Sequence, residues 1–229
     1  MKLGSEEVKS EKRSRHKFAV IVPAYNEGPR IGAVLDVLVK VDHIDEIIVV
    51  DDGSEDETAS AASKHHVKVI RMESNKGKGA AMRKGADSTD ADILLFIDAD
   101  LVGLKPGHID RLISPLIETE EIEMSVARFT EGRLSTNLSQ RIAPILNSQR
   151  AIRRTFLDRV PEFSSSRFGV ETIITTYARR SKAKVIEVEL KGVTQVMKEE
   201  KVGKIKGMKS RLDMYKDVIK HRYARSKTD

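Results

Sequence analysis

The chain has 229 residues, 39% of them apolar, enough for one large or two small domains with a real core. The absence of cysteine excludes a disulfide framework and any thiolate metal site, and the apolar runs fall well short of the ~20 residues of a spanning helix. Net charge is +6, from 41 Lys+Arg against 35 Asp+Glu, while the 4% aromatic content offers few stacking platforms for nucleic acid.

Residues 1–17 form a charged lead-in with no apolar h-region, so no signal peptide is expected and the expected location is cytoplasmic. "FAVIV" (18–22) reads as a strand and "RIGAVLDVLVKV" (30–41) as a helix. "IDEIIVV" (44–50) is a second strand, followed by a helix from about Asp56. "VKVIRM" (67–72) precedes a helix around 79–87, and "DILLFI" (92–97) is the fourth strand. Near-continuously apolar strands separated by helices predict an α/β fold with a mostly parallel central sheet covered on both faces. In such sheets ligands bind at the carboxyl ends of the strands.

The second half is less regular. "IEMSVAR" (122–128) reads as a strand and "NLSQRIAPILNSQRAIRRTFL" (137–157) as a long helix with a basic face. "VETIITTYARR" (170–180) is a helix, "AKVIEVEL" (183–190) a strand, and 207–223 a basic amphipathic helix. From Arg128 to Arg159 there are seven arginines but only two acids, Glu131 and Asp158, an asymmetry that suits an anionic partner or simply a solvated surface. The expected organisation is a single domain with a first half at 18–130, a second at 131–206 and a C-terminal helix at 207–229.

Four motifs sit at strand ends. "VPAYNEGPRI" (22–31) is turn chemistry leading into a helix, with Tyr25 and Glu27 suited to a base ring and a ribose hydroxyl. In "DDGSEDE" (51–57), Ser54 and Glu57 fit a capping box. That leaves Asp51 and Asp52 unexplained, one of which could accept a base N–H. "NKGKGAAMRKG" (75–85) is a glycine-punctuated basic loop before a helix, suited to phosphate although neither GxxxxGK[ST] nor GxGxxG is present. "DADL" (98–101) sets two carboxylates just past a buried strand, where they can hold a hard divalent cation that also grips phosphates. It lacks the Thr or Val that DxDx[TV] phosphatases carry.

In this order and spacing, "PAYNE", "VVDDGSEDET", "NKGKGAAMRKG" and "FIDADL" resemble the nucleotide-sugar-binding half of family-two glycosyltransferases with the GT-A fold. The resemblance implies a nucleoside pocket lined by Pro23, Ala24, Tyr25 and Glu27, with Asp52 under the base. It implies Lys76, Lys78 and Gly79 near the diphosphate, and Asp98 with Asp100 at an Mg²⁺ or Mn²⁺ site. "NSQRAIRR" (147–154) resembles the acceptor segment of polyprenyl-phosphate and glucosyl-3-phosphoglycerate transferases. "RFGVETIITTYARR" (167–180) resembles the segment entering the sugar pocket, with Glu171 as its acid. "GVTQVMKEEKVG" (192–203) resembles a loop that supplies a metal ligand, for which Gln195 is the nearest candidate.

The resemblance implies a metal-dependent glycosyltransferase acting on a UDP- or GDP-sugar, with Asp100 and Glu171 in catalytic roles. A hydroxyl acceptor needs a base, for which Glu171 is best placed; a phosphate acceptor is already ionised. Arg150, Arg153 and Arg154, spaced to share one helix face, would then grip its phosphate. The expected acceptor is a polyprenyl phosphate or a small phosphorylated acid such as 3-phosphoglycerate. The 207–223 helix suits an anionic membrane at its inner face, or ordinary packing; a homodimer is compatible with the sequence. Two other classes share features. A sugar-phosphate nucleotidylyltransferase would need a glycine-arginine-rich loop where "VPAYNEG" stands. In a nucleic-acid-binding module the acidic strand ends would repel the backbone.

Overall fold

The computed structural model describes residues 16–130, 148–165 and 169–195. The lead-in up to residue 15, the stretch 131–147 and the expected helix 207–223 lie outside the described residues.

The chain alternates strand and helix through β1 (Phe18–Ala24), α1 (Gly28–Leu38), β2 (Glu46–Asp51), α2 (Thr58–Ala62), β3 (Lys68–Arg71), α3 (Lys78–Ala86) and β4 (Ile93–Phe96). These lie within a few residues of the sequence reading. A two-residue strand β5 (Leu101–Val102), α4 (Pro106–Glu118) and β6 (Ile122–Thr130) follow. Next come β7 (Arg150–Arg153), the single turn α5 (Arg154–Leu157), α6 (Val170–Arg180), β8 (Lys184–Lys191) and β9 (Thr194–Gln195). Seven strands form one sheet in the order β3-β2-β1-β4-β7-β6-β8, and β5 pairs with β9 apart from it. Within the sheet β1 to β4 are parallel, β7 is antiparallel to both neighbours, and β8 is parallel to β6.

β1 explains why its sequence is apolar at every position. Val20 and Val22 pack with Ile31, Val34 and Leu35 of α1 and Ile109 and Leu112 of α4, while Ala19 and Ile21 face Ala81 and Met82 of α3. Successive side chains point to opposite faces, so a strand covered on both sides has no polar position. Helices therefore clothe both faces, and polar groups are pushed to the strand ends.

Two expectations are corrected. Residues 150–153 are a strand, not part of a helix, because they complete the sheet between β4 and β6. Arginines three and four apart fit a helix face equally well, and tertiary pairing decides. On the strand, Ala151 packs into one core layer and Ile152 into the other, so Arg150 and Arg153 project from opposite faces. Arg150 also lies opposite Phe96, whereas Arg153 lies opposite Ile93 at the far edge.

There Arg153 donates from Nε to the Ile122 carbonyl at 2.9 Å and from its guanidinium to Leu116 and Thr119 carbonyls, closing the end of α4. Arg154 donates to the carbonyls of Ala91 at 2.7 Å, Thr89 at 2.9 Å and Ala86 at 3.2 Å, closing the end of α3. A cation on the last carbonyls of a helix satisfies orphan acceptors and complements its dipole. The second correction concerns Ser54 and Glu57, which form no capping box: α2 starts after Glu57 without a side-chain cap.

Arg154→Lys keeps the charge but loses the three-carbonyl fork. It should destabilise the fold by about 2 kcal/mol, the scale of charged hydrogen bonds. Urea denaturation checks this; unchanged stability would contradict this capping role.

Candidate active site

The carboxyl edge of the sheet gathers the acidic strand ends, and their roles differ. Asp51 is fully buried; its Oδ1 accepts the Ser54 N–H at 2.9 Å and its Oδ2 lies 3.6 Å from Arg71 Nε. That closes the turn and keeps a buried carboxylate paired. Asp52 faces the next loop instead, accepting the backbone N–H groups of Lys76 and Gly77, each at 2.8 Å.

Gly53, the next residue, has φ +71°, and a Cβ there would come within 2.7 Å of the Ser74 backbone, so the two loops touch where no side chain fits. The turn after β1 is tied in as well. Asn26 N–H donates to Ser54 Oγ at 2.9 Å and Glu27 N–H to Thr58 Oγ1 at 2.8 Å, with Gly28 N–H on Asp56 Oδ2 at 3.0 Å.

Beneath these turns lies a buried charge cluster. Lys78 Nζ, one residue into α3, sits 2.5 Å from Asp98 Oδ1 and 2.9 Å from Glu171 Oε1, and donates to Ser148 Oγ at 2.5 Å. Ser148 Oγ in turn donates to Glu171 Oε1 at 2.7 Å. Gln195 Nε2 donates to Asp98 Oδ2, because the β5–β9 pairing sets Gln195 opposite Leu101. Arg150, fully buried, donates to Thr175 Oγ1 at 3.4 Å and feels both Glu171 and Asp98.

Two carboxylates are thus matched by two cations. Burial works to raise the Glu171 carboxyl, but Lys78 and Arg150 outweigh it and pull it down to about 2. Burial disfavours the Lys78 ammonium, yet Asp98 and Glu171 reverse this and raise it above the ordinary lysine value. Burial lowers the Arg150 guanidinium below its ordinary value although Glu171 and Asp98 pull the other way.

Most of the residues singled out by sequence meet at this edge. Pro23 and Ala24 end β1 in the core, Tyr25 stands 41% exposed above them, and Glu27 pairs with Arg30 at 3.0 Å. Lys76 is exposed on the loop, Gly79 is buried in the first turn of α3, and Asp98 and Asp100 follow β4. Glu171 lies in the first turn of α6, where the helix dipole favours an anion. Arg153 and Arg154 are not brought there. Ser148 was not singled out although it lies within the quoted "NSQRAIRR", where a hydroxyl among charges is easily read as a solvated residue.

As donors for a divalent cation the site offers Asp98, Asp100 and the Gln195 amide, an all-oxygen set of the kind hard cations take. Among the described residues no group of three or more His, Cys, Asp or Glu could hold a metal ion, so such a cation would need further oxygens from a ligand. Among them, too, no helix is long and apolar enough to cross a membrane.

Comparison with known proteins meets this geometry. The family described as Glycosyl transferase family 2 matches residues 19–178, which include every side chain of the cluster except Gln195. The chain belongs to glycosyl transferase family 2. Its similar relatives include glucosyl-3-phosphoglycerate synthase of Mycobacterium tuberculosis, 34% identical over 116 residues, 47% of this chain and 36% of that enzyme. Another is the dolichyl-phosphate beta-glucosyltransferase of Mus musculus, 39% identical over 100 residues, 37% of this chain and 31% of that protein.

The family-2 chain therefore aligns with about a third of the length of these curated relatives. A crystal structure of the Mycobacterium tuberculosis synthase in complex with Mn²⁺, uridine diphosphate and glucosyl-3-phosphoglycerate superposes with TM-score 0.76 at 24% identity, covering 96% of this chain and 83% of that one. The architecture is accordingly the expected GT-A α/β fold.

The depressed Glu171 carboxyl fixes a pH dependence. Its folded value, about 2, lies below the unfolded value of 4.5, so its ion pairing stabilises fully above about pH 4.5 and is lost as pH falls toward 2. Urea midpoints measured across that window should fall steeply in the wild type and more gently in Glu171→Gln. Equal slopes would show that Glu171 is not held ionised by its neighbours.

Proposed function

We propose that the chain is a metal-dependent glycosyltransferase that moves a sugar from a UDP- or GDP-sugar to a phosphorylated acceptor. The observation that carries this is the convergence of Asp98, Lys78, Glu171 and Gln195 at the carboxyl edge of a family-2 sheet, with Asp100 two residues past Asp98. Pro23, Ala24, Tyr25 and Glu27 line the nucleoside end, with Asp52 beneath it. Lys76, Lys78 and Gly79 lie toward the diphosphate, and residues 18–130 act as the donor half. Asp98, Asp100 and the Gln195 amide oxygen hold Mg²⁺ or Mn²⁺; when bound, the cation supplies Lewis-acid neutralisation of the leaving diphosphate. The similar solved structure that carries Mn²⁺ and uridine diphosphate supports this choice.

Departure of a nucleoside diphosphate builds negative charge on its β-phosphate, and Lys78 is the half-buried cation placed to meet it. Its ammonium has two carboxylate partners, so a phosphate would compete with Asp98 and Glu171 for it. Glu171, held ionised to about 2, is a weak proton acceptor. That favours an acceptor oxygen already ionised, as on a polyprenyl phosphate, and gives Glu171 the task of orienting Lys78. A small phosphorylated acid attacking through a hydroxyl is the second reading, supported by the synthase relatives. Arg150 is the remaining arginine beside the site and the candidate for the acceptor's phosphate. The basic segment 207–223 would serve a lipid acceptor at an anionic membrane surface.

Incubation with UDP-glucose or GDP-mannose, MnCl₂ and either polyprenyl phosphate or 3-phosphoglycerate should release nucleoside diphosphate only when the acceptor is present. Asp100→Asn should fold normally and lower turnover by ~100-fold or more, and EDTA should abolish it. Full activity in EDTA would remove the metal from the reading. Pyrophosphate release from a nucleoside triphosphate and a sugar phosphate would replace it with nucleotidyl transfer.

A further inference from the structure

Asp52 does something the donor-site reading does not require. Its two oxygens are taken by consecutive backbone donors, Lys76 N–H on Oδ1 and Gly77 N–H on Oδ2, both at 2.8 Å. The residue is only 3% exposed and Gly77 is buried. Its own backbone N–H donates to the Ala24 carbonyl at 2.8 Å, so it is anchored to the end of β1. Gly77 is the N-cap of α3, with φ +96° and no side-chain cap, and the next residue is Lys78.

Two adjacent N–H groups converging on one anion are the arrangement by which a loop binds phosphate. Here a carboxylate of the chain occupies that position, so these two amides already have an acceptor. Donation to a diphosphate then falls to the first-turn N–H groups of α3, which have no intrahelical acceptor, and to the Lys76 and Lys78 side chains. Where those groups point is set by the turn that Asp52 holds.

We infer that Asp52, besides its place beneath the nucleoside, is a positioning residue for the donor's diphosphate, acting through the Lys76–Gly77 turn to aim the start of α3 and Lys78. The inference rests on the donor-site reading above. It separates two kinds of effect. A base contact serves UMP and UDP alike, whereas a turn that aims the phosphate donors serves UDP above all.

Calorimetry with UDP and with UMP, each with MnCl₂, tests it on the full chain. Asp52→Asn keeps the shape but can accept only one of the two N–H groups, its NH₂ facing the other. It should weaken UDP about tenfold more than UMP, the scale of one lost charged hydrogen bond. Gly77→Ala strains the same turn from the other side and should reproduce the UDP-selective loss, which keeps the test alive if Asp52→Asn folds poorly. Equal losses for UMP and UDP, or no loss for either, would overturn the inference alone. Wild-type protein that binds neither nucleotide would overturn the donor-site reading and this inference with it.

Discussion

The Lys78 ammonium between Asp98 and Glu171 is the interaction on which the rest of the site depends. Two carboxylates at a buried strand end and a buried helix start repel each other and lose hydration. A cation 2.5 Å from one and 2.9 Å from the other offsets that cost. Arg150 supplies the second positive charge from β7, and Ser148 and Gln195 fill remaining hydrogen-bonding positions. The chain thereby holds anionic oxygens and a cation side by side at the carboxyl edge of the sheet.

The topology makes this arrangement attainable. Parallel strands β1 and β4 deliver Ala24 and Asp98 to one edge, and α3 starts at that edge with Lys78. β7 runs the other way, so its first residue, Arg150, arrives where β4 ends. The short β5–β9 pair folds Gln195 back over Asp98. Residues far apart in sequence meet because strand direction, not separation, decides which edge each reaches.

Much of this was legible in the sequence, for physical reasons. A strand covered on both faces must be apolar throughout, so β1, β2 and β4 announce themselves, and the carboxylates that follow them stand out. The division of labour between Asp51 and Asp52 was not legible, because it depends on Arg71 and on the amides of residues 76 and 77, which only folding brings near. Nor was β7: arginines spaced three and four apart describe a helix face as readily as a strand whose two ends serve different edges. α4 is additional to the elements read from the sequence; Pro115 inside it obscures its helical pattern. Glu171 was found as an acid, but its weakness as a base depends on Lys78 and Arg150 lying beside it.

A double-mutant cycle on Lys78 and Glu171 tests the central claim most directly. Lys78→Met, Glu171→Gln and the double variant would be unfolded in urea at pH 7 and their stabilities compared with the wild type. Each single change leaves a buried charge with one partner fewer, while the double change removes the pair. The account predicts a coupling energy of about 2 kcal/mol or more, with the double variant far less destabilised than the sum of the singles. Additive losses would contradict it, since they would mean that Lys78 and Glu171 stand side by side without holding each other in place.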